Sequence, residues 1–120
     1  MAVRAIRGAI QVEANDRDLI LTGTSELVTE VLRRNDVDAD DLISIVFTAT
    51  PDLTAEFPAY AARLMGFHDV PLLCTTEIDV PGAMPRVLRL LALVESDRRR
   101  AQIHHVYLGG AAALRRDLPQ

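Results

Sequence analysis

Three arginines of this 120-residue sequence stand where a charge is costly and where an anionic ligand could use it. Arg7 lies in an apolar N-terminal segment, Arg89 interrupts the run VLRLLALV, and Arg115 follows three alanines and Leu114. A buried guanidinium needs a partner, so each must meet an anion, a carbonyl or solvent, and Glu77 is one candidate. Their spacing alone favours the interpretation that the three arginines form structural ion pairs. The alternative hypothesis is that they line a pocket that binds a multiply charged anion.

Other reactive side chains are sparse. Cys74 is the single cysteine, so an intrachain disulfide is excluded. A Cys–His nucleophile is formally possible, but a buried, unreactive thiol is the favoured interpretation. The histidines His68, His104 and His105 offer no helical ligand pair, and adjacent residues of a predicted strand point to opposite faces. We therefore expect no metal site.

The charge composition excludes several function classes. All 13 basic residues are arginine, which rules out a Schiff-base lysine and a P-loop lysine. No glycine-rich dinucleotide or triphosphate motif is present, so we expect no cofactor. With a net charge of −4 and 4% aromatic residues, the chain is a poor candidate for binding nucleic acid or an anionic membrane. The run Arg98-Arg99-Arg100 is expected to be a solvated surface segment.

Length and hydropathy predict one globular domain spanning residues 1–120, with 49% hydrophobic residues. No stretch reaches 18 consecutive apolar residues, and no signal-peptide pattern follows the N-terminal arginines. We therefore expect a cytoplasmic protein.

The hydrophobic pattern predicts the element order β-α-β-α-β-α-β-β, an α+β fold in which helices pack on a mixed β-sheet. Gly23 weakens the first helix and allows a kink or a later start. The third helix lacks a polar face, which suggests that another subunit covers part of the surface. The predicted elements are strand 2–12, a helix from an Asn15 or Asp16 cap to about Arg34, strand 42–49, helix 57–65 ended by Gly66, strand 70–75, helix 84–95, and strands 103–108 and 111–115. Strands 42–49 and 70–75 are expected to be buried, the former on both faces.

Six segments stand in collinear order over nearly the whole chain: RAIRGA (4–9), ATPDL (49–53), FPAYAAR (57–63), VPLLCTTEIDVPG (70–82), RVLRLLAL (86–93) and HVYL (105–108). Together they resemble the monofunctional chorismate mutases of the trimeric, pseudo-α/β-barrel class. The resemblance implies a homotrimer in which each active site lies between neighbouring subunits. It also implies chorismate as substrate and prephenate as product, with no cofactor.

The resemblance carries roles for particular residues. It implies that Arg7 and Tyr107 bind carboxylates of the substrate, while Arg89 contacts the ether oxygen and a carboxylate. Cys74 and Glu77 match residues that bind the ring hydroxyl. The catalytic set is thus Arg7, Cys74, Glu77, Arg89 and Tyr107.

Further positions match the walls and entrance of the family pocket. Arg63 matches an arginine near the mouth that draws in the dianion, and Arg115 a tail arginine that closes over the site. The apolar wall residues are Phe57, Leu72, Leu73 and Leu114. The chain departs from the family at His104, at Tyr60 and in LRRDL (114–118), and these departures lie at the entrance and tail and not at the centre of the pocket.

The implied reaction is a one-step pericyclic rearrangement, which requires no nucleophile, metal or proton transfer. It requires a compact substrate conformation and positive charge at the breaking ether bond. Two alternatives remain open from the sequence: a trimeric module that binds a small carboxylate, and an enamine/imine deaminase of a related trimeric fold.

Overall fold

The computed structural model describes residues 2–115 and contains one five-stranded mixed sheet. The strand order is β3-β2-β4-β1-β5. The central strand β4 pairs antiparallel with β1 and β2, whereas the outer pairs β1–β5 and β2–β3 are parallel. The predicted mixed sheet with packed helices is confirmed. The elements are β1 Ala2–Gln11, α1 Arg17–Arg34, β2 Leu42–Ala49, α2 Pro58–Leu64, β3 Leu72–Thr76, β4 Val87–Ser96 and β5 Val106–Leu108.

Helix α1 begins at the predicted cap, where the Asp16 side chain accepts a hydrogen bond from the Leu19 backbone N–H at 3.0 Å. The helix runs without interruption to Arg34, so the kink or later start allowed for at Gly23 does not occur. Gly23 is instead a point of close packing, because a Cβ atom there would lie 2.8 Å from Val12 Cγ1.

The largest error of the sequence prediction is the third helix, 84–95, which is strand β4. A leucine-rich run without a polar face fits a buried helix or a central strand equally well by periodicity. The strand pairing decides between them, because β1 pairs with residues 87–96 on one side and β2 with residues 88–94 on the other, and both supply hydrogen-bond partners for the backbone of this segment. The missing polar face of a supposed helix is therefore no evidence for a subunit contact.

The C-terminal prediction is also partly wrong. Residues 103–105 lie outside the strand, so the two neighbouring histidines do not alternate across a sheet. The predicted strand 111–115 belongs to a 3-10 segment, Gly109–Arg115. Gly110 passes so close to the Gln11 side chain that a Cβ atom would collide with the amide, so the position has no room for a side chain. The rest of LRRDL lies outside the described residues.

The arginine run at 98–100 is not a uniformly solvated segment. Arg98 Nη1 donates to the Arg34 backbone carbonyl at 3.1 Å and so caps the C-terminal end of α1. Arg99 and Arg100 are exposed, as expected.

The hydrophobic core lies on one face of the sheet, under α1 and α2. The opposite face, which we call the open face, carries the alternate residues of each strand. On it Val3, Leu73 and Leu91 are 59%, 62% and 43% exposed, respectively. The expectations that 42–49 is buried on both faces and that 70–75 is buried are therefore wrong for a single chain. No helix within residues 2–115 meets the length and hydropathy needed to span a membrane.

Candidate active site

One group of predicted site residues lines a cavity between α2 and the edge strand β3. We call this group the edge cluster: Phe57, Arg63, Leu72, Leu73 and Cys74. The cavity has a volume of about 360 Å³ and is completed by Glu56, Ala59 and Tyr60. Phe57 immediately precedes α2 and is 70% exposed, so a large aromatic surface is available at this cavity. The fold brings the five predicted residues together although they come from two separate segments.

The Cys74 thiol is positioned by the backbone of α2. Its Sγ accepts a hydrogen bond from the Ala59 N–H at 3.3 Å. Burial raises the pKa of Cys74, while the Ala59 N–H and the charge of Arg63 oppose this shift. Because the pKa is raised, the thiol keeps its proton at neutral pH. The geometry therefore favours a role for the Cys74 thiol as a neutral polar group in contact with a ligand, and not as a thiolate nucleophile.

A second group surrounds Arg89 near the end of the open face. The Arg89 Nε lies 3.1 Å from both carboxylate oxygens of Glu77, the partner considered from the sequence. The Thr48 hydroxyl donates to Glu77 Oε2 at 2.5 Å, and Thr48 lies directly opposite Arg89 in the β2–β4 register. The Glu77 side chain is 17% exposed and that of Arg89 40%. A partly buried carboxylate therefore fixes the orientation of a guanidinium that solvent can still reach.

Strand register places the other predicted residues around this pair. Ala9 lies between Arg89 on β4 and Tyr107 on β5, and Arg7 is two residues along β1 on the same face. Tyr107 is 5% exposed and packs in a small apolar cluster that includes Ala9, with Leu114 at its edge. We call this group the face cluster: Arg7, Glu77, Arg89, Tyr107 and Leu114. Arg115 follows Leu114 at the end of the 3-10 segment Gly109–Arg115.

The two clusters do not meet within one chain. Cys74 pairs with Phe47 and points to the helix-covered side of the sheet, whereas Glu77 bonds to Thr48 on the open face. Strand β2 also separates β3 from β4. The implied ring-hydroxyl contact from Cys74 and Glu77 together is therefore not formed inside a single chain.

Comparison of the whole sequence with models of known protein families identifies the family of this chain. The profile of the family "Chorismate mutase type I" matches residues 3–118, which include every residue of both clusters. The chain belongs to the type I chorismate mutase family.

Individual chorismate mutases agree with this assignment over nearly their full lengths. The sequence is 47% identical to the chorismate mutase AroH of Thermus thermophilus over 117 residues, covering 97% of this chain and 96% of the relative. It is 40% identical to AroH of Bacillus subtilis (strain 168) over 119 residues, covering 98% and 94%. A solved chorismate mutase from Clostridium thermocellum superposes with a TM-score of 0.90 at 45% identity, covering 92% of this chain and 98% of that one.

Sequence reasoning missed several polar residues that support this chorismate mutase fold. Thr48 is a polar position in an apolar strand, a weak sign of function that only the register links to Glu77. Asn35 is 1% exposed and binds the backbone of His104 through both ends of its amide. His105 Nδ1 accepts a hydrogen bond from the Arg7 N–H. Sequence spacing gives no indication of the last two contacts, which join positions 69 and 98 residues apart.

Metal-ligating side chains do not assemble into a site in the part of the chain that the structure describes. No group of three or more His, Cys, Asp or Glu residues in 2–115 has the proximity needed to hold an ion. The candidate site is instead a set of arginines, a carboxylate, a thiol and aromatic walls.

Proposed function

We propose that the protein is a chorismate mutase, which converts chorismate to prephenate in aromatic amino acid biosynthesis. The observation that carries this proposal is the family match over residues 3–118, which includes the Arg89–Glu77 pair. The relatives that bear this name are similar in sequence along nearly the whole chain. The sequence-based inference of the reaction and the family assignment agree.

The reaction breaks an ether bond while a new carbon–carbon bond forms in the same step. Negative charge develops on the ether oxygen as its bond to carbon lengthens. We propose that Arg89 stabilises this charge through its guanidinium, because the Glu77 carboxylate holds Nε and orients the group before substrate arrives. Such stabilisation acts mainly in the transition state and therefore raises kcat.

The remaining rate acceleration comes from holding the substrate in a compact chair conformation. Arg7 is suited to a carboxylate because a guanidinium can donate two parallel hydrogen bonds. Tyr107 contributes a contact to the side-chain carboxylate, and Cys74 and Glu77 contacts to the ring hydroxyl. A 10⁶-fold acceleration requires about 8 kcal/mol, for which restricted conformation and one strong charged contact are plausible sources.

We propose that the functional unit is a homotrimer in which the edge cluster of one subunit faces the face cluster of its neighbour. Two features of the chain support this assembly. Cys74 and Glu77 point to opposite sides of one sheet, so a pocket that uses both needs two copies. The open face also exposes Val3, Leu73 and Leu91, which a second copy would remove from water.

A direct assay tests the reaction. Purified protein should consume chorismate, followed by its ultraviolet absorbance, without added metal or cofactor. A protein that binds small carboxylates but leaves chorismate unchanged would support the binding-module alternative. The cytoplasmic location remains a prediction from the sequence.

A mixing experiment tests the shared pocket. Arg89→Ala carries an intact edge cluster, and Phe57→Ala/Arg63→Ala carries an intact face cluster. If pockets form between subunits, co-refolded mixtures assayed at chorismate concentrations below the wild-type KM should be more active than either variant refolded alone, because about one quarter of random interfaces combine two intact clusters. Light scattering should give three times the 13.2 kDa chain mass. An active monomer, or mixtures with no gain of activity, would refute the shared pocket.

A further inference from the structure

Arg7 pairs with Leu91 of β4 on one side of β1, whereas on the side that faces β5 its backbone N–H is bonded by a side chain. The parallel pairing of β1 with β5 begins at Gly8 and Val106, so Arg7 lies one residue before the paired segment. Its N–H donates to His105 Nδ1 at 2.9 Å. The imidazole thus takes the place that a strand carbonyl would occupy and extends the ladder by one hydrogen bond.

The His105 ring is presented by an anchored segment. The backbone N–H of His104 donates to Asn35 Oδ1 at 2.7 Å, and Asn35 Nδ2 donates to the His104 carbonyl at 2.8 Å. Asn35 Nδ2 also donates to the Val31 carbonyl at 2.9 Å, and the residue is 1% exposed. A continuous set of hydrogen bonds therefore links the end of α1 to the backbone of Arg7.

The charges around His105 favour the neutral ring. Arg4 on β1 and Arg100 on the 3-10 turn Arg100–Gln102 line a cavity of about 310 Å³ together with His105. Partial burial lowers the pKa of His105, and the positive charges of Arg7, Arg115 and His104 lower it further. These facing groups, from β1, the turn and the segment after β5, are all basic.

We propose that neutral His105 is a positioning residue for the mutase reaction, whose Nδ1 atom holds the Arg7 backbone and so directs the Arg7 guanidinium toward a substrate carboxylate. This inference rests on the proposed function, since it assigns a purpose to Arg7. A ring that accepts at Nδ1 carries its proton at Nε2. Protonation converts Nδ1 into a donor, which breaks the hydrogen bond and adds positive charge beside Arg7.

The expected consequence is a loss of substrate affinity on the acid side. Arg7 contacts a carboxylate that is charged in both the ground and transition states, so its displacement raises KM more than it lowers kcat. Because the pKa of His105 is lowered, this change begins only below the pH at which an ordinary histidine titrates.

Three variants test the proposal by steady-state kinetics from about pH 5 to about pH 8.5, a range that includes ordinary histidine titration. His105→Asn keeps an acceptor near the position of Nδ1 but cannot become charged in this range, so it should retain most of the neutral-pH activity and lack the acid-side rise in KM. His105→Ala should raise KM roughly tenfold at neutral pH, the effect of one lost hydrogen bond, and the difference from wild type should shrink on the acid side, where protonation breaks the same bond in the wild type. His68→Asn, which alters an exposed histidine after α2, is the matched control and should keep the wild-type profile.

The outcomes separate this proposal from the proposed function. Wild-type protein that leaves chorismate unchanged would refute both. Active wild-type protein with an unaltered KM in His105→Ala, or an acid-side rise retained in His105→Asn, would overturn the positioning role alone. Circular dichroism identifies variants that fail to fold, and if His105→Ala does so, the pH profile of His105→Asn decides.

Discussion

Replacement of Arg89 by alanine tests the centre of the proposed mechanism. The guanidinium makes two contacts of 3.1 Å with Glu77 and stands on the open face, 40% exposed. We expect kcat to fall by at least 10²–10³, about 3–4 kcal/mol of transition-state stabilisation, which is typical for removal of one preorganised donor. KM should change less, through the lost carboxylate contact. The assay is the decrease in chorismate absorbance at saturating substrate.

The same substitution also affects stability, and this effect can be separated from catalysis. It leaves the Glu77 carboxylate, 17% exposed, with the Thr48 hydroxyl but without its cation. We expect the free energy of unfolding to fall by about 1–2 kcal/mol, because solvent screens part of the loss. Arg89→Ala/Glu77→Ala removes the unpaired charge and should recover part of the stability while remaining inactive. Denaturant unfolding of the two variants measures the difference.

Arg89→Lys is the control for charge without the planar fork. It should recover only part of kcat, because an ammonium cannot reproduce the guanidinium geometry against Glu77. Folded Arg89→Ala protein with near wild-type kcat would refute the proposed mechanism. Full recovery by lysine would show that a point charge suffices and that the orientation by Glu77 is unimportant.

The other predictions concern the edge cluster and the sheet–helix contact. Arg63→Ala should mainly raise KM, and the salt dependence of kcat/KM should change if the charge of Arg63 attracts the dianion. Cys74→Ser should keep much of kcat. In the wild type, iodoacetamide should modify Cys74 slowly at neutral pH, because the raised pKa of Cys74 keeps the thiol protonated. Rapid alkylation would contradict the protonated thiol. Gly23→Ala should lower the free energy of unfolding by about 1 kcal/mol, because crowding against Val12 outweighs the gain in helix propensity of about 1 kcal/mol. A raised Tm would contradict this prediction.

The sequence by itself determined much of the fold. The apolar, β-branched runs and the helical spacing located β1, α1, β2, α2 and β3 to within about two residues. These segments carry their own evidence, such as the Asp16 cap and Gly66, which follows α2 and has a φ of 96°. The family resemblance likewise rested on residues that are adjacent in sequence, and the profile match confirms it.

Tertiary structure decided what depends on partners distant in sequence. The run 87–94 could be a helix or a strand until β1 and β2 were in place, because its leucines satisfy either element and only the neighbours supply backbone hydrogen bonds. Glu77 was a candidate partner for three arginines, and register selected Arg89 by placing Thr48 opposite it. The division of the predicted site into two clusters has the same origin. Alternation sends neighbouring residues to opposite faces, but the face that α1 and α2 cover is set by packing of the whole chain.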